Sequence, residues 1–213
     1  MTAVSPENKI FIIGLPRTGT TSFCCKLLTF HFTVAHTAYT EKTFKQAQVI
    51  ADTPIFADYP QLFHHYPNSK FIYLERDLHL WLPSIKQLLL RMHRNITRED
   101  GGFNPIIKRC YKKVFSEFTL ENIQSDPFLT QCYRRHQNEV YGFFEQHPNS
   151  LLTIDISHPT SLAKLLSFLE LPAIEGTFDK MNVAGKVTAW KDLKHGNKVE
   201  STNNGRSGQL PYL

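Results

Sequence analysis

The sequence predicts an α/β fold, a three-layer sandwich around a mostly parallel central sheet. Three observations carry that prediction. Unbroken apolar runs, Ile10-Phe11-Ile12-Ile13 and Phe71-Ile72-Tyr73-Leu74, fit strands buried on both faces of a parallel sheet. These runs alternate with segments of helical periodicity, the pattern of strands joined by crossover helices. The first run also enters a loop bounded by Gly14 and Gly19 that opens into a helical pattern.

The elements follow in order. Lys9 to Gly14 is the first strand, Gly14 to Gly19 a loop, and Thr20 to Phe30 a helix. Ile55 to Ala57 is predicted as a short second strand and Lys70 to Glu75 as a third. His79 to Met92 reads as a helix with an apolar face of Leu80, Leu82, Ile85, Leu88, Leu89 and Met92. Residues 103–147 are rich in helical pattern, interrupted at Asp126-Pro127, where proline blocks continuation of a helix. Leu151 to Ile156 gives a fourth strand, and Ser161 to Leu169 a helix that stops before Pro172. Residues 185–213 are polar, basic and rich in Gly and Asn, which predicts a long loop.

The 213 residues fit one domain spanning 1–213, enough chain to bury a core without disulfide staples. Net charge is +5 and the pI about 9.0, suited to an anionic ligand. No run of five or six like charges reads as a nucleic-acid arm, so no nucleic-acid partner is expected. Apolar stretches fall short of the roughly 20 residues of a membrane helix. Met1 to Lys9 is polar and does not read as a signal peptide. Four cysteines lack metal-ligand spacing and read as reduced thiols, so a cytoplasmic protein without a metal is expected. No signature of an oligomeric state is present.

Gly14-Leu15-Pro16-Arg17-Thr18-Gly19-Thr20-Thr21 has the spacing of a P-loop, in which backbone N–H groups and a helix amino terminus cradle phosphate oxygens. In nucleotide triphosphatases the residue after the second glycine is Lys, which neutralises the outer phosphates. Here that position is Thr20, and the cation is Arg17 within the loop. Pro16, Arg17, Thr18, Gly19, Thr20, Thr21 and Ser22 are the candidate anion contacts. A second anion site is read at Arg76, at the carboxyl end of a strand, with Ser84 about two helical turns later. Alternatively, Arg76 pairs with Glu75 or Asp77 at the surface.

With these residues in place the chain resembles the sulfotransferase superfamily. Leu15-Pro16-Arg17-Thr18-Gly19-Thr20-Thr21 is similar to that family's first motif, with Arg17 where Lys is usual. Tyr73-Leu74-Glu75-Arg76 followed by Ser84 is similar to the second. The resemblance implies a P-loop-like sulfotransferase fold and 3′-phosphoadenosine 5′-phosphosulfate (PAPS) as co-substrate, released as the desulfated nucleotide PAP. It implies that the first motif holds the 5′-phosphosulfate and that Arg76 and Ser84 hold the 3′-phosphate. Lys186, Lys191 and Arg206 become candidates for further 3′-phosphate contacts. The acceptor would be a small molecule or glycan bound by Phe32 to Val49 and residues 103–147.

In the resembling family a His in an H-x-P segment takes the acceptor proton. The comparable segment here is Asp58-Tyr59-Pro60, which makes Asp58 the expected base, with Arg17 stabilising charge on the leaving oxygen. Asp52-Thr53-Pro54 has the same form and is the rival; Asp58 also reads as a helix cap. His64 and His65 read as solvent-facing, and His31 and His36 as bordering the acceptor. The competing functions are a P-loop nucleoside or nucleotide kinase, which lacks its Lys at position 20, and a nucleotide-binding pseudoenzyme.

Overall fold

In the computed structural model, which describes residues 8–179, 189–202 and 208–213, five strands form one parallel sheet in the order β2-β3-β1-β4-β5. They are β1 (Ile10–Ile12), β2 (Val34–Ala35), β3 (Val49–Ala51), β4 (Lys70–Glu75) and β5 (Leu151–Asp155). β1 is central: Ile12 lies opposite Ala51 on one side and Ile72 on the other. The strands are short and apolar because both faces are covered. Between them run α1 (Thr20–Thr29), α2 (Glu41–Gln46), α3 (Ile55–His65), α4 (Leu78–Thr97), α5 (Pro105–Val114), α6 (Leu120–Gln124) and α7 (Asp126–Phe144). α8 (Ser161–Phe168) and α9 (Ala189–Asp192) follow β5 among the described residues.

Alternation along the strands assigns the layers. Ile10, Ile12, Ile72 and Leu74 pack on Phe23, Leu27 and Leu28 of α1 and on Leu162, Leu165 and Leu166 of α8. Phe11, Ile13, Phe71 and Tyr73 face the other way, onto Ile55, Tyr59 and Leu62 of α3 and Val140 and Phe144 of α7. A third cluster, built on Trp81, Ile85 and Leu89 of α4, Tyr111 and Phe115 around α5 and Leu129 of α7, caps the carboxyl end of the sheet. Fully burying side chains of this size contributes roughly 1.5–3 kcal/mol each. None of the described helices is long and apolar enough to cross a membrane.

The predicted α/β class, central parallel sheet and flanking helix layers are present. Two local expectations are corrected. Ile55-Phe56-Ala57 is the first turn of α3, not a strand; Ile55 and Phe56 reach two different apolar clusters, as a helix permits. The strand of this region is β3, six residues earlier at Val49, and β2 is only two residues long. The carboxyl-terminal segment is also more than a loop. Val34 N–H donates to Asn197 O at 2.9 Å and Val199 N–H to Val34 O at 2.8 Å, so this segment lies along the free edge of β2. The break at Asp126-Pro127 is where α7 begins, with Ser125 capping its first turn.

Candidate active site

All five strands point their carboxyl ends at one crevice, and the chain crosses from one side of β1 to the other between β3 and β4. That is the switch point at which open α/β sheets bind ligands. The loop after β1 is set down tightly there. A Cβ on Gly14 would come within 2.7 Å of Leu74 Cβ and 2.8 Å of Leu74 O, so only glycine lets the loop lie on β4. Gly19 has φ +103°, and a Cβ there would meet Ile156 Cδ1 at 2.3 Å.

Three carbonyls of the loop accept side-chain hydrogen bonds, one from within the loop and two from outside it. Thr18 Oγ1 donates to Leu15 O at 2.7 Å, Trp81 Nε1 to Pro16 O at 3.0 Å, and Arg76 Nη1 to Arg17 O at 2.7 Å. α1 starts at Gly19 with no side-chain cap, which leaves the amide donors of its first turn and the dipole of the helix for an anion. Thr20, Thr21 and Ser22 follow, all buried.

Two guanidiniums meet at this loop. Arg17, at φ +74°, donates from Nε to Ser84 Oγ at 2.7 Å, while Arg76 reaches its backbone. Burial, then the charges of Arg76 and Arg91, hold the Arg17 pKa below its ordinary value. Neither Arg17 nor Arg76 enters an ion pair among the described residues. The surface pairing of Arg76 with its neighbours does not form. Glu75 accepts from Gln137 Nε2 and Tyr141 Oη, and Asp77 caps α4 by accepting His79 N–H at 2.8 Å. Tyr133 Oη fixes the Arg76 backbone, accepting from its N–H at 3.0 Å and donating to its carbonyl at 3.1 Å.

The two Asp-x-Pro carboxylates occupy different places. Asp58 is fully buried in α3, where Arg109 grips both its oxygens at 2.7 and 2.5 Å and Tyr212 Oη donates to it at 3.0 Å. Asp58, the base expected from the sequence, thereby ties Arg109 of α5 and Tyr212 to α3. Asp52 follows β3 directly, at φ +51°, beside the loop. Its carboxylate accepts from Thr53 Oγ1 at 3.0 Å and is half-buried. It lies within electrostatic reach of Arg17, His36, Tyr39 and Tyr111.

His36, past the end of β2, joins the site more closely than its sequence context foretells. Its Nε2 lies 3.0 Å from Thr21 Oγ1 and 3.3 Å from Thr20 Oγ1, and its ring sits 5.4 Å from that of Trp190 on α9. Burial pulls its pKa below the ordinary value; Asp52 opposes that shift and Lys198 adds to it. His64 and His65 are exposed at the end of α3. Lys191 is exposed on α9 beside Trp190, whereas Lys186 and Arg206 lie outside the described residues. No group of three or more potential metal-binding side chains occurs among the described residues.

A search among curated proteins finds no match to the chain. A family model described as a sulfotransferase domain matches residues 37–187. The match begins beyond the glycine-bounded loop, so loop geometry and family match are separate observations. On this match, over more than half its length, the chain belongs to the sulfotransferase-domain family, whose reaction class is sulfuryl transfer.

Proposed function

We propose that this chain is a cytoplasmic, PAPS-dependent sulfotransferase that moves a sulfuryl group to a hydroxyl or amine of a small-molecule or glycan acceptor, releasing PAP. The observation that carries the reading is the Arg17–Arg76 pair. Two like charges, joined through one loop and in no ion pair among the described residues, are unfavourable until an anion stands between them. The cradle fits such an anion: Gly14 lets the loop that carries Arg17 lie against β4, and the α1 terminus supplies donors.

PAPS, when bound, supplies a sulfuryl group activated by a phosphate leaving group. Pro16 to Ser22 and the first turn of α1 bind the 5′-phosphosulfate, with Thr18, Thr20, Thr21 and Ser22 as hydroxyl contacts. Arg76 and Ser84 bind the 3′-phosphate, with Lys191 as a further contact. Arg17, held by Ser84, stabilises charge on the bridging oxygen as its bond to sulfur breaks and PAP leaves with the electron pair. Asp52, rather than Asp58, takes the acceptor's proton as the acceptor oxygen or nitrogen bonds to sulfur. Its position at the end of β3 beside Arg17 supports that role, and the clasp on Asp58 argues against the alternative.

Calorimetric titration of PAP into wild type and Arg76→Ala, with ATP and magnesium as control, tests the reading. Removing a charge-assisted contact worth about 1.5–3 kcal/mol weakens PAP binding by roughly 10- to 150-fold. No PAP binding, with binding of ATP and magnesium, would overturn it in favour of a kinase.

A further inference from the structure

His36 touches the first turn of α1 from outside the glycine-bounded loop. It follows β2, which β3 separates from β1 in the sheet, and the backbone beside it is pinned twice. Ala38 N–H donates to Thr53 O at 3.1 Å, in the segment after β3, and Tyr39 N–H to Ser201 O at 2.8 Å, in the carboxyl-terminal segment. The ring lies 5.4 Å from that of Trp190, whose carbonyl accepts from Lys198 Nζ at 2.5 Å. Lys198 in turn bridges to Val34 of β2. One imidazole is thus held against α1 by segments distant in sequence.

What the ring meets is a pair of hydroxyls. Its Nε2 lies 3.0 Å from Thr21 Oγ1 and 3.3 Å from Thr20 Oγ1. Both threonines are buried, at the end of α1 that opens without a side-chain cap. A hydroxyl has one proton to give and two lone pairs. Were Nε2 bare, one threonine would spend its proton on the ring and turn only lone pairs to an anion. With the proton on Nε2, the ring donates to both oxygens and both hydroxyl protons point away from it. Burial lowers the His36 pKa and so favours a neutral ring, which orients the hydroxyls without adding a cation to Arg17 and Arg76.

From these two contacts we propose that His36 is a positioning residue for the donor: its Nε2–H is shared by Thr20 Oγ1 and Thr21 Oγ1 and aims both hydroxyl protons at the 5′-phosphate group. This inference rests on the donor reading above, which places that group at the start of α1.

The test combines magnetic resonance with calorimetry, both using PAP. In wild type saturated with PAP, with isotope-labelled imidazole nitrogens, the His36 ring is assigned by correlation to its own backbone amide and is expected to carry its proton on Nε2. His36→Phe keeps a ring beside Trp190 but loses the nitrogen, and is expected to weaken PAP binding about 3- to 10-fold. His36→Gln, which offers an amide N–H near the place of Nε2, is expected to stay within about twofold of wild type. In a Thr21→Val background the penalty of His36→Phe is expected to shrink to about twofold or less, because the nearer hydroxyl through which it acts is gone. A bare Nε2 would overturn the inference on wild type alone, whether or not the variants fold. So would a His36→Phe that binds PAP as tightly as wild type, a His36→Gln no better than His36→Phe, or a penalty unchanged by Thr21→Val. Each of those results leaves the donor reading standing, whereas absence of PAP binding by wild type overturns the donor reading and this inference with it.

Discussion

Arg17 Nε donates to Ser84 Oγ across 2.7 Å, joining a loop after β1 to a helix after β4. Arg76 completes the link by donating to the Arg17 carbonyl at 2.7 Å. The loop after β1, Arg76 at the end of β4 and Ser84 on α4 are therefore one hydrogen-bonded unit. Ser84→Ala releases the Arg17 guanidinium and is expected to lower kcat as well as PAP affinity, each by several-fold. Arg17→Lys keeps the charge but loses the planar fork that can serve Ser84 and an anion together. It is expected to cost more in kcat than in KM for the donor. Steady-state kinetics with a sulfuryl acceptor measure this split, and a KM effect alone would reduce Arg17 to a binding residue.

The proposed base, Asp52, and the clasped Asp58 can be told apart by substitution. Asp52→Asn is expected to lower kcat by about 10²–10⁴ with PAP affinity and melting temperature unchanged. Asp58→Ala leaves Arg109 and Tyr212 without their acceptor; with the Arg109 side chain 40% exposed, the cost is about 2 kcal/mol, below that of a fully buried pair. Activity surviving in the folded population of Asp58→Ala, and lost in Asp52→Asn, is the expected outcome. The reverse pattern would return the base to Asp58.

The same pair marks where the sequence was readable. Strand, glycine loop and helix at Ile10 to Thr29 were legible because periodicity and glycine spacing are local. So were Arg76 at a strand end and Ser84 on the next helix. The choice between the two carboxylates was not, since Asp52-Thr53-Pro54 and Asp58-Tyr59-Pro60 have one form. What separates them is Arg109, 51 residues on, and Tyr212, 154 residues on. Strands of two and three residues, β2 and β3, carry too little pattern to register, and the apolar run Ile55-Phe56-Ala57 imitated one. The sequence put His36 only at the border of the acceptor segment, because its partners, Thr20, Thr21 and Trp190, are brought to it by the fold.

Gly19 carries two constraints at once, a left-handed φ of +103° and the closeness of Ile156. Gly19→Ala is expected to cost about 1–2 kcal/mol for the backbone conformation alone, with the contact to Ile156 Cδ1 added to it. PAP affinity should fall at least tenfold as the loop shifts. Adding Ile156→Ala relieves the contact and leaves the φ, so the double variant should recover only part of either loss. Full recovery in calorimetry and thermal melts would show that space, not conformation, fixes this residue.

His136 makes the fold sensitive to acid. It is buried in α7 with Nε2 2.8 Å from Phe56 O, and its Nδ1 has no hydrogen-bond partner among the described residues. Burial lowers its pKa to about 4; the Phe56 carbonyl opposes the shift, and Lys113 and Arg135 add to it. The unfolded chain takes up this proton near pH 6.5, the folded chain only near pH 4. Between those values the unfolded state binds more protons, so stability rises with pH and is lost as pH falls through that window. The whole window is worth about 3 kcal/mol, the product of the shift and 1.36 kcal/mol per unit. His136→Gln can retain a side-chain N–H for the Phe56 carbonyl without a titrating group. Urea unfolding at pH 7 and pH 4.5 should show wild type losing more stability than this variant by about 2–3 kcal/mol. Equal losses in the two proteins would place the acid sensitivity elsewhere, in the carboxylates that titrate over the lower part of the same range.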